Sequence, residues 1–172
     1  MAITVEDGSG VANADSYVSV ADADTYHTAH GNPSSWSGLS TSLKEQYLKE
    51  ATTYLDSVYY YQWQGYRTNG LDQGLDHPRA AMYDRDGNLR PEDELAKELT
   101  DATCILANIR AGGTTLLATQ TTPGTLGSKK IKVDVIEIEK VYPGGQSSVP
   151  YFREVSLLIA RLTGGTSLVS RG

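Results

Sequence analysis

A single cysteine, Cys104, leaves this chain without the means to form an internal disulfide and removes every multi-cysteine zinc pattern from consideration. Its place in a helical apolar pattern reads as a small core residue, not a reactive thiol. No apolar run approaches the roughly 20 residues that a membrane-spanning helix needs, so no membrane partner is expected. The opening segment MAITVEDGSG has acid and glycine where a secretion signal has a basic and then an apolar stretch, and the expectation is a protein made in a cytoplasm. Positive charge is scarce: 15 basic residues face 21 acidic ones, for a net charge of −6. Gripping a nucleic-acid backbone usually calls for the opposite sign. Phenylalanine is nearly absent, one residue against 11 tyrosines. Tyrosine joins an apolar ring to a polar tip and suits half-buried surfaces and interfaces better than a dry core. Also missing are a G-x-S-x-G elbow, a Walker loop and a dinucleotide fingerprint. The serines fall mainly in caps and loops, and His77 has no nucleophile beside it, so no catalytic residue, cofactor or metal is assigned and no enzyme is expected.

What is present, in 172 residues with 39% hydrophobic content, is enough for one domain of ordinary size. The reading is mainly α, a small bundle of about four helices with an extended β arm or hairpin near the C-terminus. Ser19 with Asp22 resembles a capping box opening a helix from Val20 to Ala29, with Gly31 as its stop. A loop from Asn32 to Gly38 carries Trp36. Ser42 with Glu45 opens a second helix to about Tyr60, whose core stripe is Leu43, Tyr47, Leu48, Ala51, Tyr54, Leu55 and Val58. Lys44, Glu45, Lys49, Glu50 and Asp56 are assigned to its wet face. The loop Thr68 to Arg90 is long for a compact domain. A third helix is expected from Pro91 to Ala111, on Leu95, Leu99, Ala102, Leu106 and Ile109.

The domain organisation read from these patterns is a bundle over 1–113, a Gly/Thr-rich linker over 114–128, a β arm over 129–142, and a hinge, C-terminal helix and flexible tail over 143–172. In the arm, Ile131, Val133 and Val135 alternate with polar residues and then Ile136 and Ile138 take over the register, which requires a bulge, a bend or two short strands. An isolated arm needs partners. The last helix, from Pro150 to about Leu162, carries a stripe of Tyr151, Val155, Leu158 and Leu162, widened by Leu157 and Ile159. That face is expected to dock on a partner, with packing on its own bundle as the alternative.

Three constellations have chemical and structural readings. Asp84-Arg-Asp-Gly-Asn88 resembles the opening of a calcium loop but has Gly and Leu95 at the wrong positions, so a tight turn is expected. His27 and His30 share a helix but lack a third ligand. The aromatic run Tyr59 to Tyr66 with Arg67 fits either a stacking platform for single-stranded nucleic acid or a cover for the core and a neighbouring subunit; the acidic total favours the second.

Four segments together resemble a known family: Gly10-Val-Ala-Asn-Ala-Asp-Ser-Tyr-Val-Ser19, Ala51-Thr-Thr-Tyr-Leu-Asp56, Trp63-Gln-Gly-Tyr-Arg67, and Pro78-Arg79 with Tyr83-Asp-Arg-Asp-Gly87. The pattern is similar to the tailed-bacteriophage head-to-tail adaptors, also called head-completion, connector or neck proteins; such sequences have also been catalogued as DnaT-like single-stranded-DNA-binding proteins. It departs from them at His77, where Trp commonly precedes the Pro-Arg pair, and at Ala96, where proline is expected. The resemblance implies a virion protein of the neck: a homomeric ring, dodecameric if it follows the portal, joining capsid to tail. Its implied partners are the portal, the next neck or tail-completion protein, and genomic DNA only as passing cargo. The alternative function is a single-stranded-DNA-binding module. Under the adaptor reading the portal-binding set is Tyr151, Arg153, Val155, Leu158, Arg161, Leu162 and Arg171, and the inter-subunit set is Ile131, Val133, Val135, Ile136, Ile138, Tyr59, Tyr61, Trp63 and Tyr66.

Overall fold

The computed structural model describes residues 3–117, 129–133, 136–140 and 150–164, and these are mostly helical. Helix α1 (Val20–Ala29) begins where the sequence places it: the Ser19 hydroxyl accepts the Asp22 amide at 3.1 Å. The loop that follows holds a one-turn helix, α2 (Ser34–Ser37), which the sequence reading lacked. Trp36 is the reason. Its ring is 1% exposed and packs 4.8 Å from the His27 ring, while its indole N–H donates to Asp24 at 2.7 Å, so burying one large side chain draws the loop into a turn.

Helix α3 (Thr41–Tyr59) is capped by Ser40 instead of Ser42, the Leu43 amide reaching the Ser40 hydroxyl at 3.4 Å. It buries Leu48, Ala51, Thr52, Tyr54, Leu55 and Tyr59. Its most extensive helix partner is α4 (Lys97–Ala111), which buries Leu99, Ala102, Thr103, Cys104, Leu106 and Ala107. Burial pushes the Cys104 thiol up to about 12, as befits a core residue.

Helix α4 starts six residues later than the acidic run Pro91 to Ala96 leads one to expect. That run is tied down as bent, non-helical chain. The Arg90 amide donates to the Met82 carbonyl at 2.8 Å, and the Thr68 hydroxyl donates to the Glu92 carbonyl at 2.9 Å. The Asp93 carbonyl lies so near Gly8 that a Cβ there would approach it to 2.2 Å. Carbonyls held in this way are not available to a helical ladder, so Asp93 and Glu94 are not first-turn acids and Glu98 takes that place.

The segment between α3 and α4 contains a short antiparallel pair, β1 (Tyr66–Arg67) with β2 (Arg79–Ala80), and a 3-10 turn at Gly70–Asp72. Helix α5 (Arg153–Ile159) is shorter than expected. Val155, Ile159 and Leu162 are all 0% exposed, Phe152 sits edge-on to Tyr54 at 5.5 Å, and the Tyr59 and Ser156 hydroxyls are 2.8 Å apart. Helix α5 therefore packs on its own bundle: of the apolar stripe read as a docking face, Val155, Ile159 and Leu162 are core and Leu158 is half-buried, while Tyr151 and Leu157 stay exposed.

The chain divides into two compact units, Met1–Leu116 with Phe152–Gly172, and Leu117–Tyr151. The second holds β3 (Lys129–Val133) and β4 (Ile136–Lys140), an antiparallel hairpin in which Ile131 pairs with Ile138 and Val133 with Ile136. Two short strands thus account for the switch in period. In chain order the hairpin falls between α4 and α5 instead of at the C-terminus. The expected linker residues 118–128 and hinge residues 143–149 lie outside the described residues.

Leu55 and Leu106 are both fully buried. Leu55→Ala or Leu106→Ala is expected to cost about 2–5 kcal/mol, checked by urea denaturation. Deleting residues 150–172 removes the fully buried Val155, Ile159 and Leu162 at once. The truncated chain is therefore expected to lose its cooperative thermal transition, read by circular dichroism, instead of leaving an intact bundle.

Candidate functional site

Tyr17, Asp56, Trp63 and Pro78-Arg79, from the segments that carry the family resemblance, come together around one buried polar centre, whereas Tyr83 to Gly87 forms a more exposed turn. The centre is built from the N-terminus upward. The Glu6 carboxylate, 2% exposed, accepts the amides of Gly8, Gly10 and Val11 at 3.0, 2.8 and 2.7 Å, which folds the glycine-rich segment into a fixed turn. Beyond that turn Tyr17 enters the core at 2% exposure. Its hydroxyl donates to Asp56 Oδ1 at 2.5 Å and accepts the His77 amide at 3.2 Å. The other Asp56 oxygen accepts the Asp76 amide at 3.2 Å. Asp56 belongs to α3, so this pair of bonds ties the N-terminal segment, the helix and the loop before β2 to one another.

The loop continues through the cis bond between His77 and Pro78. The His77 ring lies edge-on to Trp63 at 4.6 Å, and Trp63 in turn lies 5.6 Å from the Tyr59 ring. Arg79 donates to the carbonyls of Gln64, Gly65 and Asp76 at 2.6, 2.8 and 3.3 Å. Gly65 has φ +61°, and a Cβ there would stand 1.9 Å from the Ala80 carbonyl, so only glycine permits β1 to pass β2 this closely.

Burial dominates the electrostatics of the centre. It pushes the Asp56 carboxyl up to about 7 against the opposing Tyr17 hydrogen bond, and neighbouring Asp76 adds to the rise. Asp76 is also raised by burial, with Arg79 and Arg67 pulling it back. His77 is brought down to about 3 by burial and by Arg79 and Arg90, so it is neutral at pH 7. The indole N–H of Trp63 favours the charged form of Asp76, yet neither Trp63 Nε1 nor Asp76 Oδ2 completes a hydrogen bond of good geometry.

Around this centre the surface is aromatic. Tyr60 and Tyr61 rim a shallow pocket of 480 Å³ whose lining includes Asp56, Leu75 and Asp76. Tyr61 is 95% exposed and Leu71, on the 3-10 turn, 94%. A second hollow, of 600 Å³, places Tyr83 and Arg85 beside Arg161.

The predicted inter-subunit residues divide accordingly. Tyr61 and Tyr66 are exposed, but Tyr59 and Trp63 are each 7% exposed and belong to the core, because Trp63 is needed to pack His77. Ile131, Val133, Ile136 and Ile138 lie in the hairpin; Val135 lies outside the described residues. Of the portal-binding set, Val155 and Leu162 are buried and Leu158 half-buried, whereas Tyr151 and Arg153 are exposed and Arg161 lies 4.0 Å from Glu98. Arg171 is outside the described residues.

Asp56 is not on a wet face. It sits one helical turn beyond Thr52, which is buried, and the Tyr17 hydroxyl is its partner. The signal in the sequence was that spacing, overridden by the charge of the residue. His27 is packed against Trp36, and His30 stacks on Tyr26 at 4.0 Å. Asp84 staples its loop by accepting the amides of Asp86 and Asn88 and the Asn88 side chain, a turn closed by the Tyr83–Leu89 bridge. No group of three His, Cys, Asp or Glu residues suited to a metal occurs among the described residues.

The folded form binds the Asp56 proton more tightly than an unfolded chain, whose aspartates titrate near 3.9, so this group's contribution to stability is present at low pH and is lost as pH rises from about 4 to about 7. His77 acts in the opposite sense, its contribution present above roughly 6.5 and lost as pH falls toward about 3. Asp56→Asn isolates the first effect. The stability of the parent relative to the variant is expected to be greatest near pH 4 and to shrink through pH 7, as read from urea midpoints across that range.

No curated protein matches the chain, and no solved structure does. A family model described as "Putative DnaT-like ssDNA binding protein" matches residues 1–171. That match spans all four segments, and the chain belongs to this family.

Proposed function

We propose that the chain is a structural head-to-tail adaptor subunit of a tailed-bacteriophage neck, forming a ring beneath the portal that continues the DNA channel. The observation that carries this reading is the β3–β4 hairpin. It belongs to a compact unit of its own, and no third strand pairs with it among the described residues. A two-stranded ribbon is marginal alone in water, and both its edges offer unpaired backbone groups to a neighbouring chain. The bare Tyr61 and Leu71 side chains are further surface that a neighbour would cover. The likeness of the four sequence segments to adaptor proteins supplies the assembly in which such a neighbour exists.

The described cations support a structural role over grip on nucleic acid. Lys44, Lys49, Arg90, Lys97 and Arg110 are ion-paired with Asp24, Asp15, Glu98, Asp101 and Glu50. Arg67 and Arg79 donate to backbone carbonyls. Charges already engaged within the fold are poorly placed to release counterions from phosphates.

The second reading, a single-stranded-DNA-binding module, is favoured by the family's description and by the hollow that sets Tyr83 beside Arg85 and Arg161, since bases stack on rings flanked by cations. Two measurements separate the readings. Portal-bearing heads that lack this protein are expected to acquire a closed ring when it is added, seen by electron microscopy. Labelled oligothymidine is expected to show no salt-dependent rise in anisotropy at physiological ionic strength. Salt-sensitive binding of the oligonucleotide with undecorated portals would replace the adaptor reading with the second one.

A further inference from the structure

Asn69 is the only asparagine in the chain that is followed by glycine. It is exposed, yet it joins two segments far apart in sequence. Its side-chain amide donates to the Ser9 carbonyl at 2.6 Å and to the Gly10 carbonyl at 3.3 Å. The contact is close: a Cβ on Gly10 would stand 2.4 Å from Asn69 Nδ2. Behind it the N-terminal turn is held by Glu6, which accepts the amides of Gly8, Gly10 and Val11. Asn69 is thus a latch between that turn and the loop leading to Asp76 and His77, and the Gly74 amide, which donates to the Val11 carbonyl at 3.1 Å, is the neighbouring tie.

The latch also carries the reagent that can undo it. In an asparagine–glycine pair the backbone nitrogen of the glycine can attack the side-chain carbonyl carbon, because no Cβ on the glycine stands in the way. Gly70 is exposed, and apart from its chain neighbours no atom lies within 4 Å of where a Cβ would be, so nothing packs over the pair from that side. The pair sits where a turn leads into the 3-10 segment, with Asn69 at φ −102°, ψ 17° and Gly70 at φ +57°. Exposed structure of this kind opens locally at little cost. The other asparagines are less suited. Asn32 precedes proline, which has no N–H to lose, Asn108 lies inside α4, and Asn13 and Asn88 precede residues with side chains.

We propose that Asn69 is a site of spontaneous deamidation, and that its conversion releases the N-terminal turn from the loop between α3 and α4. The Gly70 nitrogen loses its proton and bonds to Asn69 Cγ, the Cγ–Nδ2 bond breaks, and Nδ2 leaves with that proton as ammonia. Water then opens the cyclic imide at either carbonyl, giving aspartate, or isoaspartate with the chain running through Cγ. Either product gains a carboxylate and loses the side-chain N–H group. Toward the Ser9 and Gly10 carbonyls acceptor then meets acceptor, and the latch opens. While the latch is closed the Asn69 side chain is held to the turn, so the reaction draws on the moments when it opens, and its rate reports that opening.

The test holds the full-length chain in heavy-oxygen water at mildly alkaline pH, beside a second sample unfolded in urea. Mass spectrometry of the tryptic fragment from Thr68 to Arg79 reads one heavy oxygen per conversion. The folded chain is expected to take up label at Asn69 ahead of Asn13 and Asn88, and more slowly than the unfolded chain. Glu6→Gln, which loosens the turn from behind, is expected to raise the rate several-fold toward the unfolded value while the helical circular dichroism is kept. Hydrogen exchange at the Gly8, Gly10 and Val11 amides is expected to quicken in the deamidated fraction and in Asn69→Asp, and to stay unchanged in α3 and α4. A folded chain that takes up no label at Asn69 while the unfolded one converts fully would overturn the site. Uptake of label with unchanged exchange at those three amides would overturn the release. Should Glu6→Gln prove unfolded, the parent chain and Asn69→Asp decide both points.

Discussion

The hydrogen bonds made by the Tyr17 hydroxyl hold together what the helices alone do not. Between α3 and α4 the chain runs from Tyr60 to Ala96 with only a two-residue strand pair and a 3-10 turn of regular structure. Ordering so long a connection costs backbone entropy that few ladder bonds offset. The compensation comes from side chains that reach backbone. Tyr17 and Asp56 fix the amides of His77 and Asp76, Arg79 gathers three carbonyls, and Gln73 donates to the carbonyls of Leu75 and Pro78. Most of these contacts are buried or partly buried, where an unmatched polar group is most costly, so the loop has few alternative conformations of similar energy. The polar centre thus acts as the core of a segment that has too few aliphatic residues to make one.

That dependence explains which parts of the fold were legible in the sequence. Helix α1 was read to its ends because Ser19 and Gly31 act locally, through one amide and one permissive backbone position. The α3 and α4 stripes followed from spacing alone. The start of α4 is not readable locally, since Pro91 to Ala96 has helix-forming signals and is kept out of the helix by contacts of the chain around it with Thr68, Met82 and Gly8, more distant in sequence. Asp56 was misplaced for the same reason: its charge argues for water, and only the position of Tyr17 shows why the helix turns it inward. Of the aromatic run read as a cover for the core and a neighbouring subunit, Tyr59 and Trp63 serve the core, where Trp63 packs edge-on against the His77 ring. The resemblance segments gave the right residues with no indication that they form one site.

The charge distribution has a consequence for partners. A chain of net charge −6 with most described cations in ion pairs or on carbonyls shows its surroundings carboxylates and tyrosines more than bases. Such a surface has little attraction for phosphate and suits recognition by shape and by a small number of aromatic anchors. The hollow with Tyr83, Arg85 and Arg161 is the exception, and it is local: Asp84 and Asp86 line the same hollow, so its net field is small.

The hairpin carries the final constraint. Its register pairs aliphatic with aliphatic and lysine with glutamate at every position but the open end, so the ribbon is well specified along its length. A ribbon can have a fixed register and still lack a surface to pack on, because two strands bury too little apolar area between themselves. Pairs Ile131–Ile138 and Val133–Ile136 therefore require a cover that the register itself does not provide. Under the adaptor reading proposed above a neighbouring subunit would supply that cover, whereas the bundle is fixed by its own polar centre.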